Sequence, residues 1–110
     1  MEKAKHDRLK KAGWTVGTTA EFLGLTDEEA ALIEMKLALA HSLREHRDAR
    51  HLTQEKLAKM LGSSQSRVAK MEAADSSVSM ELLVRSLLML GATREEVGRV
   101  IARDSTVPAA

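Results

Sequence analysis

The sequence predicts an all-α fold, a compact domain of five helices, and three observations carry that expectation. From Leu32 to Ile101, apolar residues recur three and four positions apart, the spacing of one helix face. Thr26-Asp27-Glu28-Glu29 and Thr93-Arg94-Glu95-Glu96 are capping boxes, in which a hydroxyl and a carboxylate each satisfy a backbone N–H of the first turn. Gly62 and Gly91 stand where apolar runs stop, and glycine ends helices because it takes the left-handed conformation at little steric cost.

Taken in order, residues 1–12 are polar, Lys-rich and without periodicity, which predicts disorder or folding on contact with a partner. Gly13 to Thr18 alternates apolar and polar residues between glycines, as a short extended segment does. Thr19 to Gly24 has the composition of one helical turn. Trp14, Val16, Phe22, Leu23 and Leu25 are too apolar to leave in water. They are expected to pack on the first long helix; contact with a partner chain is the alternative, and Trp14, Val16, Phe22 and Leu23 are its candidates. Residues 1–25 are thus read as an N-terminal extension, 26–104 as the domain and 105–110 as a loose tail.

The first domain helix should run from Asp27 to about Arg50, roughly 36 Å at the α-helical rise. Leu32, Met35, Leu39 and Leu43 make one stripe, with Ile33, Leu37 and Ala40 beside it. Arg44, Arg47 and Arg50 lie three apart near its end, where positive charge suits the helix dipole; they are also placed to reach a polyanion. Leu52 can staple the next helix.

Thr53 to Glu72 reads as two short helices joined by a tight turn. Thr53 caps the first, which carries Leu57, Ala58 and Leu61 on one face. Ser63 and Ser64 both suit the cap of the second, whose buried stripe is Val68 and Met71. Gln65, Ser66, Arg67 and Lys70 are left outward, and amide, hydroxyl and basic groups on a short helix match the paired donors and acceptors of the DNA major groove. A polar turn follows to Val78. Ser79 caps a helix of about Met80–Leu90 with Leu82, Leu83, Leu87 and Leu90 inward, and the last helix ends near Arg103 with Val97, Val100 and Ile101 inward.

Net charge is only +1 over 110 residues, but it is unevenly placed. Residues 53–72 carry four basic and two acidic groups, against four and six in 27–52. A locally basic segment suits DNA contact through one face. There is no cysteine, so no disulfide framework and no thiolate metal site. No apolar run approaches the ~20 residues that span a bilayer, and no signal core follows the basic start, so a cytoplasmic protein is expected. His41, His46 and His51 are five apart; successive side chains turn by about 140° and share no face. No phosphate loop, nucleophile elbow or cofactor motif is present, and no enzyme activity is expected.

The Thr53–Glu72 stretch resembles the helix-turn-helix of the Xre family, the Cro-like and phage-repressor-like DNA-binding domains. The matching features are Thr53-Gln54, Leu57-Ala58, the Gly62 turn, Gln65 opening the second helix, and Val68 with Met71-Glu72 closing it, and the likeness covers roughly Leu43 to Leu90. It implies a lambda-repressor-like domain whose second helix enters the major groove. Ser64, Gln65, Ser66 and Lys70 are the candidates to read bases. The resemblance implies that Gln54 bonds a phosphate and buttresses Gln65; Ser63, Arg67 and Arg44 are candidates for the backbone. The sequence departs from the family at Ala74, where a glycine usually closes the second helix.

These readings point to a sequence-specific transcriptional regulator that binds an operator as a homodimer, because one short helix reads few bases and two half-sites about a turn apart answer that. The short chain and its added N-terminal segment also resemble HigA-type antitoxins, which implies a RelE-like toxin partner and repression of the protein's own operon. The alternatives are a stand-alone phage-repressor-like regulator and an interaction module that binds no DNA. No cofactor is implied.

Overall fold

A computed structural model describes residues 24–103 of the chain. Among them are five α-helices and no strand: α1 Asp27–Ala49, α2 Gln54–Leu61, α3 Gln65–Glu72, α4 Met80–Met89 and α5 Arg94–Ala102. The expectations for the segment from Trp14 to Leu23, for residues 1–12 and for the 105–110 tail lie outside the described residues. The chain divides into two compact units, Met35–Ala102, and Met1–Glu34 with Arg103–Ala110.

Of the second unit, the described residues are 24–34, which lead into and begin α1, and Arg103. Its capping box forms as the sequence requires: the Thr26 amide donates to Glu29 Oε1 at 2.8 Å and the Glu29 amide to Thr26 Oγ1 at 3.1 Å. Asp27, Glu28 and Glu29 place negative charge in the first turn, where the helix dipole favours it. Ala30 is buried, whereas Leu32 is 53 % and Ile33 40 % exposed. The segment expected to pack on this part of the helix, Trp14 to Leu23, lies outside the described residues.

The unit Met35–Ala102 has one core. Leu39, Ala40 and Leu43 of α1, Leu57 and Ala58 of α2, Val68 and Met71 of α3, and Leu83 and Leu87 of α4 meet with Val78, Leu90, Ala92, Val97 and Val100. Each aliphatic side chain taken fully out of water contributes about 1.5–3 kcal/mol. Leu52, Leu61, Leu82 and Ile101 pack at its edge. Buried Ser86 turns its hydroxyl back to the Leu82 carbonyl at 2.8 Å, so no polar group is stranded there.

Helix ends decide how the chain turns. Thr53, Ser64 and Ser79 each sit in extended backbone and accept from the amide three residues on. At the other ends, α1 to α4 all close with the same pair of bonds: Leu52 to Arg47 and His51 to Asp48; Ser63 to Ala58 and Gly62 to Lys59; Asp75 to Lys70 and Ala74 to Met71; Ala92 to Leu87 and Gly91 to Leu88. This double closure needs one left-handed residue. Gly62 supplies it at φ 67°, but His51 and Ala74 supply it at φ 56° and 54° without being glycine. The turn after α3 thus keeps the left-handed geometry that a glycine would adopt, and the half-buried Ala74 methyl packs against the core, which offsets part of its strain.

Asp75 then sets the α3–α4 turn, accepting from the Ser77 amide at 2.9 Å and from its hydroxyl. These bonds, the hydroxyl first, hold its carboxyl below the ordinary aspartate value. Lys36 Nζ of α1 donates to the Asp75 carbonyl at 2.7 Å.

His51 is exposed and pays the left-handed cost with no packing in return. A non-glycine residue there costs roughly 1–2 kcal/mol, and glycine gives back about 0.4–1 kcal/mol through its freer unfolded chain. His51→Gly should therefore raise stability by about 0.5–1 kcal/mol, read as a higher midpoint in thermal unfolding.

Candidate nucleic-acid interface

The interface candidate is α3 and the side chains that hold its first turn. Gly62 turns the chain out of α2, and Ser64 opens α3 by accepting from the Arg67 amide at 3.2 Å. Val68 and Met71 lock one face into the core at 0 % and 1 % exposure. That leaves Gln65, Ser66, Arg67 and Lys70 exposed on α3 itself, with Ser63 and Ser64 exposed ahead of it. The structure thus brings together all four predicted base-reading residues.

Three of them are already engaged. Ser64 Oγ is committed to capping and lies 3.2 Å from Ser66 Oγ, so these hydroxyls face solvent as a linked pair. Gln65 Nε2 donates to Gln54 Oε1 at 2.6 Å. Gln54 in turn donates from Nε2 to Glu72 Oε1 at 3.0 Å. Gln54 thus stands hydrogen-bonded between Gln65 and Glu72.

Glu72 closes the chain against α1. Arg47 Nε donates to Glu72 Oε2, and Arg47 Nη2 donates to Glu72 Oε1 at 3.0 Å. Arg47 Nη1 also holds the Leu52 carbonyl at 2.8 Å. The two side chains are 12 % and 6 % exposed. The bond to Glu72 raises the Arg47 pKa further, against the opposing effect of burial. A two-point guanidinium–carboxylate pair is both strong and directional.

This corrects one expectation. Arg47 does not reach outward for a polyanion; its donors are spent inside the domain. Arg50 is likewise engaged, donating to the Leu90 carbonyl at 3.1 Å. Arg44, 65 % exposed and 3.9 Å from Asp48, keeps the outward position expected of it. Sequence reasoning missed the inward roles of Arg47 and Glu72, although a signal was there. Arg47 lies four residues after Leu43, and Glu72 four after Val68, so each continues a buried stripe, and charges on two apolar stripes require each other.

Beside α3, Arg67 lines a shallow cavity of about 280 Å³ with Ser77, Ser79, Glu81, Leu82 and Arg85. Arg85 is paired with Glu81 at 3.0 Å. Of the predicted partner-contact residues, Trp14, Val16, Phe22 and Leu23 all lie outside the described residues.

Five helices with α2 and α3 packed across a left-handed turn, and polar side chains outward on α3, define a lambda-repressor-like domain built to bind DNA. The chain belongs to the helix-turn-helix family of the Xre and Cro type, whose model matches residues 43–97. Searches of curated proteins and of solved structures find no match. Among the described residues, no helix is long and apolar enough to cross a membrane.

Removing Arg47 would leave Glu72 buried and uncompensated, which typically costs about 3–5 kcal/mol. Arg47→Ala should therefore lose that order of stability in urea unfolding, far more than Arg44→Ala, whose exposed pair falls in the range of 0–1 kcal/mol, roughly.

Proposed function

We propose that this protein is a sequence-specific transcriptional regulator that reads an operator with α3. One observation carries the reading: the Gln65 amide stands exposed at the start of α3 while Gln54 holds it in place. A pre-oriented amide at the first turn of a groove-sized helix is suited to base edges. Ser64, Ser66 and Lys70 flank it as base-reading candidates, and Ser63, Arg67, Arg44 and Gln54 are proposed for the phosphates. Eight residues of α3 cover few base pairs, so two copies on half-sites about one helical turn apart are proposed.

The test is a fluorescence anisotropy titration against the DNA upstream of the protein's own gene, beside a scrambled duplex, at two salt concentrations. Tight binding to the upstream duplex alone is expected. No binding to either would overturn the reading, because phosphate contacts alone produce salt-dependent binding. Gln65→Ala should weaken cognate binding by about 1–3 kcal/mol and spare binding to the scrambled duplex.

A narrower form of the same reading makes the protein the antitoxin of a toxin–antitoxin pair that represses its own operon and neutralises a RelE-like toxin. The resemblance to HigA-type antitoxins supports it, as do Ile33 and Leu37 exposed four apart on α1, with Leu32 beside them. Co-expression with the product of the neighbouring gene should yield a co-purifying complex. If none forms while upstream DNA is bound, the protein is a stand-alone regulator.

A further inference from the structure

The hydrogen-bond chain that ends at Gln65 begins at a carboxylate, and an ionised carboxylate has no proton to give. Whatever meets Glu72 must donate. Gln54 therefore turns its amide nitrogen to Glu72 Oε1, at 3.0 Å, and its oxygen is left facing α3. Toward that oxygen Gln65 must donate as well, from Nε2 at 2.6 Å. One N–H of Gln65 is spent in this way. Its free tip consists of one acceptor, Oε1, and one remaining N–H.

That pattern is selective. In the major groove adenine offers a donor and an acceptor, N6–H and N7, whereas guanine offers two acceptors, O6 and N7. A tip of one acceptor and one donor forms two bonds with adenine and only one with guanine. The reversed chain, with Gln54 donating to Gln65 Oε1, would leave Gln65 presenting two N–H groups and would suit guanine. Reversal would require Gln54 to turn its oxygen on Glu72, oxygen against an anionic oxygen. Glu72 itself is fixed by the two-point bond from Arg47.

We propose that Glu72 is a positioning residue for DNA reading, whose negative charge sets the donor–acceptor polarity of Gln65 through Gln54 and so selects adenine over guanine at the base pair Gln65 meets. The proposal rests on the reading of α3 as the groove-entering helix. Neither Glu72 nor Arg47 need touch DNA for it to hold. It also assigns Gln54 a second task beyond support: relaying the polarity of a buried carboxylate to an exposed amide.

The test is selection of duplexes from a randomised pool by the full chain, followed by base preference at each position. Four proteins are compared: the wild type, Gln65→Ala, Gln54→Ala and Glu72→Gln. The position that Gln65 reads is the one whose preference Gln65→Ala abolishes. Wild type should favour adenine over guanine there. Gln54→Ala frees the Gln65 amide to turn, and Glu72→Gln allows Gln54 to turn. Each should lower the adenine-to-guanine ratio at that position by about tenfold, the worth of one base-edge hydrogen bond, and leave the preferences at other positions in place.

Gln54→Ala does not touch the Arg47–Glu72 pair, so the proposal stays open to refutation even if Glu72→Gln folds poorly. A wild type that selects no sequence would overturn the DNA reading and this proposal together. A wild type that selects a sequence, with the ratio unchanged in Gln54→Ala, would overturn the proposal alone. So would a Gln65-dependent guanine preference in the wild type, or a uniform loss across all positions in the variants, which is what a merely structural role produces.

Discussion

A guanidinium and a carboxylate, each almost cut off from water, meet between α1 and α3. Neither could stay there alone, because an unpaired buried charge is among the most expensive things a protein can hold. Their requirement for each other fixes where α3 sits against the last turns of α1. The same guanidinium grips the Leu52 carbonyl, where the chain enters α2. The same carboxylate receives Gln54 from the start of α2. One ion pair thereby ties together the three helices that have to be in register for the outward face of α3 to be presented at all.

The pair does not act as a simple source of stability. Replacing such a pair by well-packed apolar groups is often neutral or better for stability, so its value lies in direction. A hydrophobic contact between α1 and α3 would hold them together but would tell Gln54 nothing about which end of its amide to turn. A two-point bond from a planar guanidinium gives Glu72 one orientation, and that orientation passes outward through two amides to solvent. Packing then supplies the rigidity: Val68 and Met71 are wholly buried on the inward face of α3 that Glu72 continues, so the helix cannot roll to relax the chain.

The turns show how far local chemistry was legible in the residues. Thr26 with Glu29, Thr93 with Glu96, and the caps Thr53, Ser64 and Ser79 all form the bonds their residue types imply. Gly62 is left-handed as expected. His51 was not legible as a left-handed residue, because nothing in its side chain demands that conformation; the double closure from Leu52 and His51 back to Arg47 and Asp48 imposes it. Leu32 shares a stripe with Met35 and Leu39 by spacing and is 53 % exposed, and the segment expected to pack on it, Trp14 to Leu23, lies outside the described residues.

What the sequence determined by itself is the set of five helices, their caps, the core stripes and the outward polar face of α3. Those features depend on residues within a turn or two of one another, and helical geometry alone brings them into contact. Tertiary structure decided the pairing of Arg47 with Glu72 across 25 residues, and through it which arginines remain for a partner and which way the Gln65 amide points. Such choices depend on where two helices cross and on how much water is left between them. Leu43 to Arg47 and Val68 to Glu72 each put a charge on an apolar stripe, but only the crossing of α1 and α3 turns those two local anomalies into one interaction.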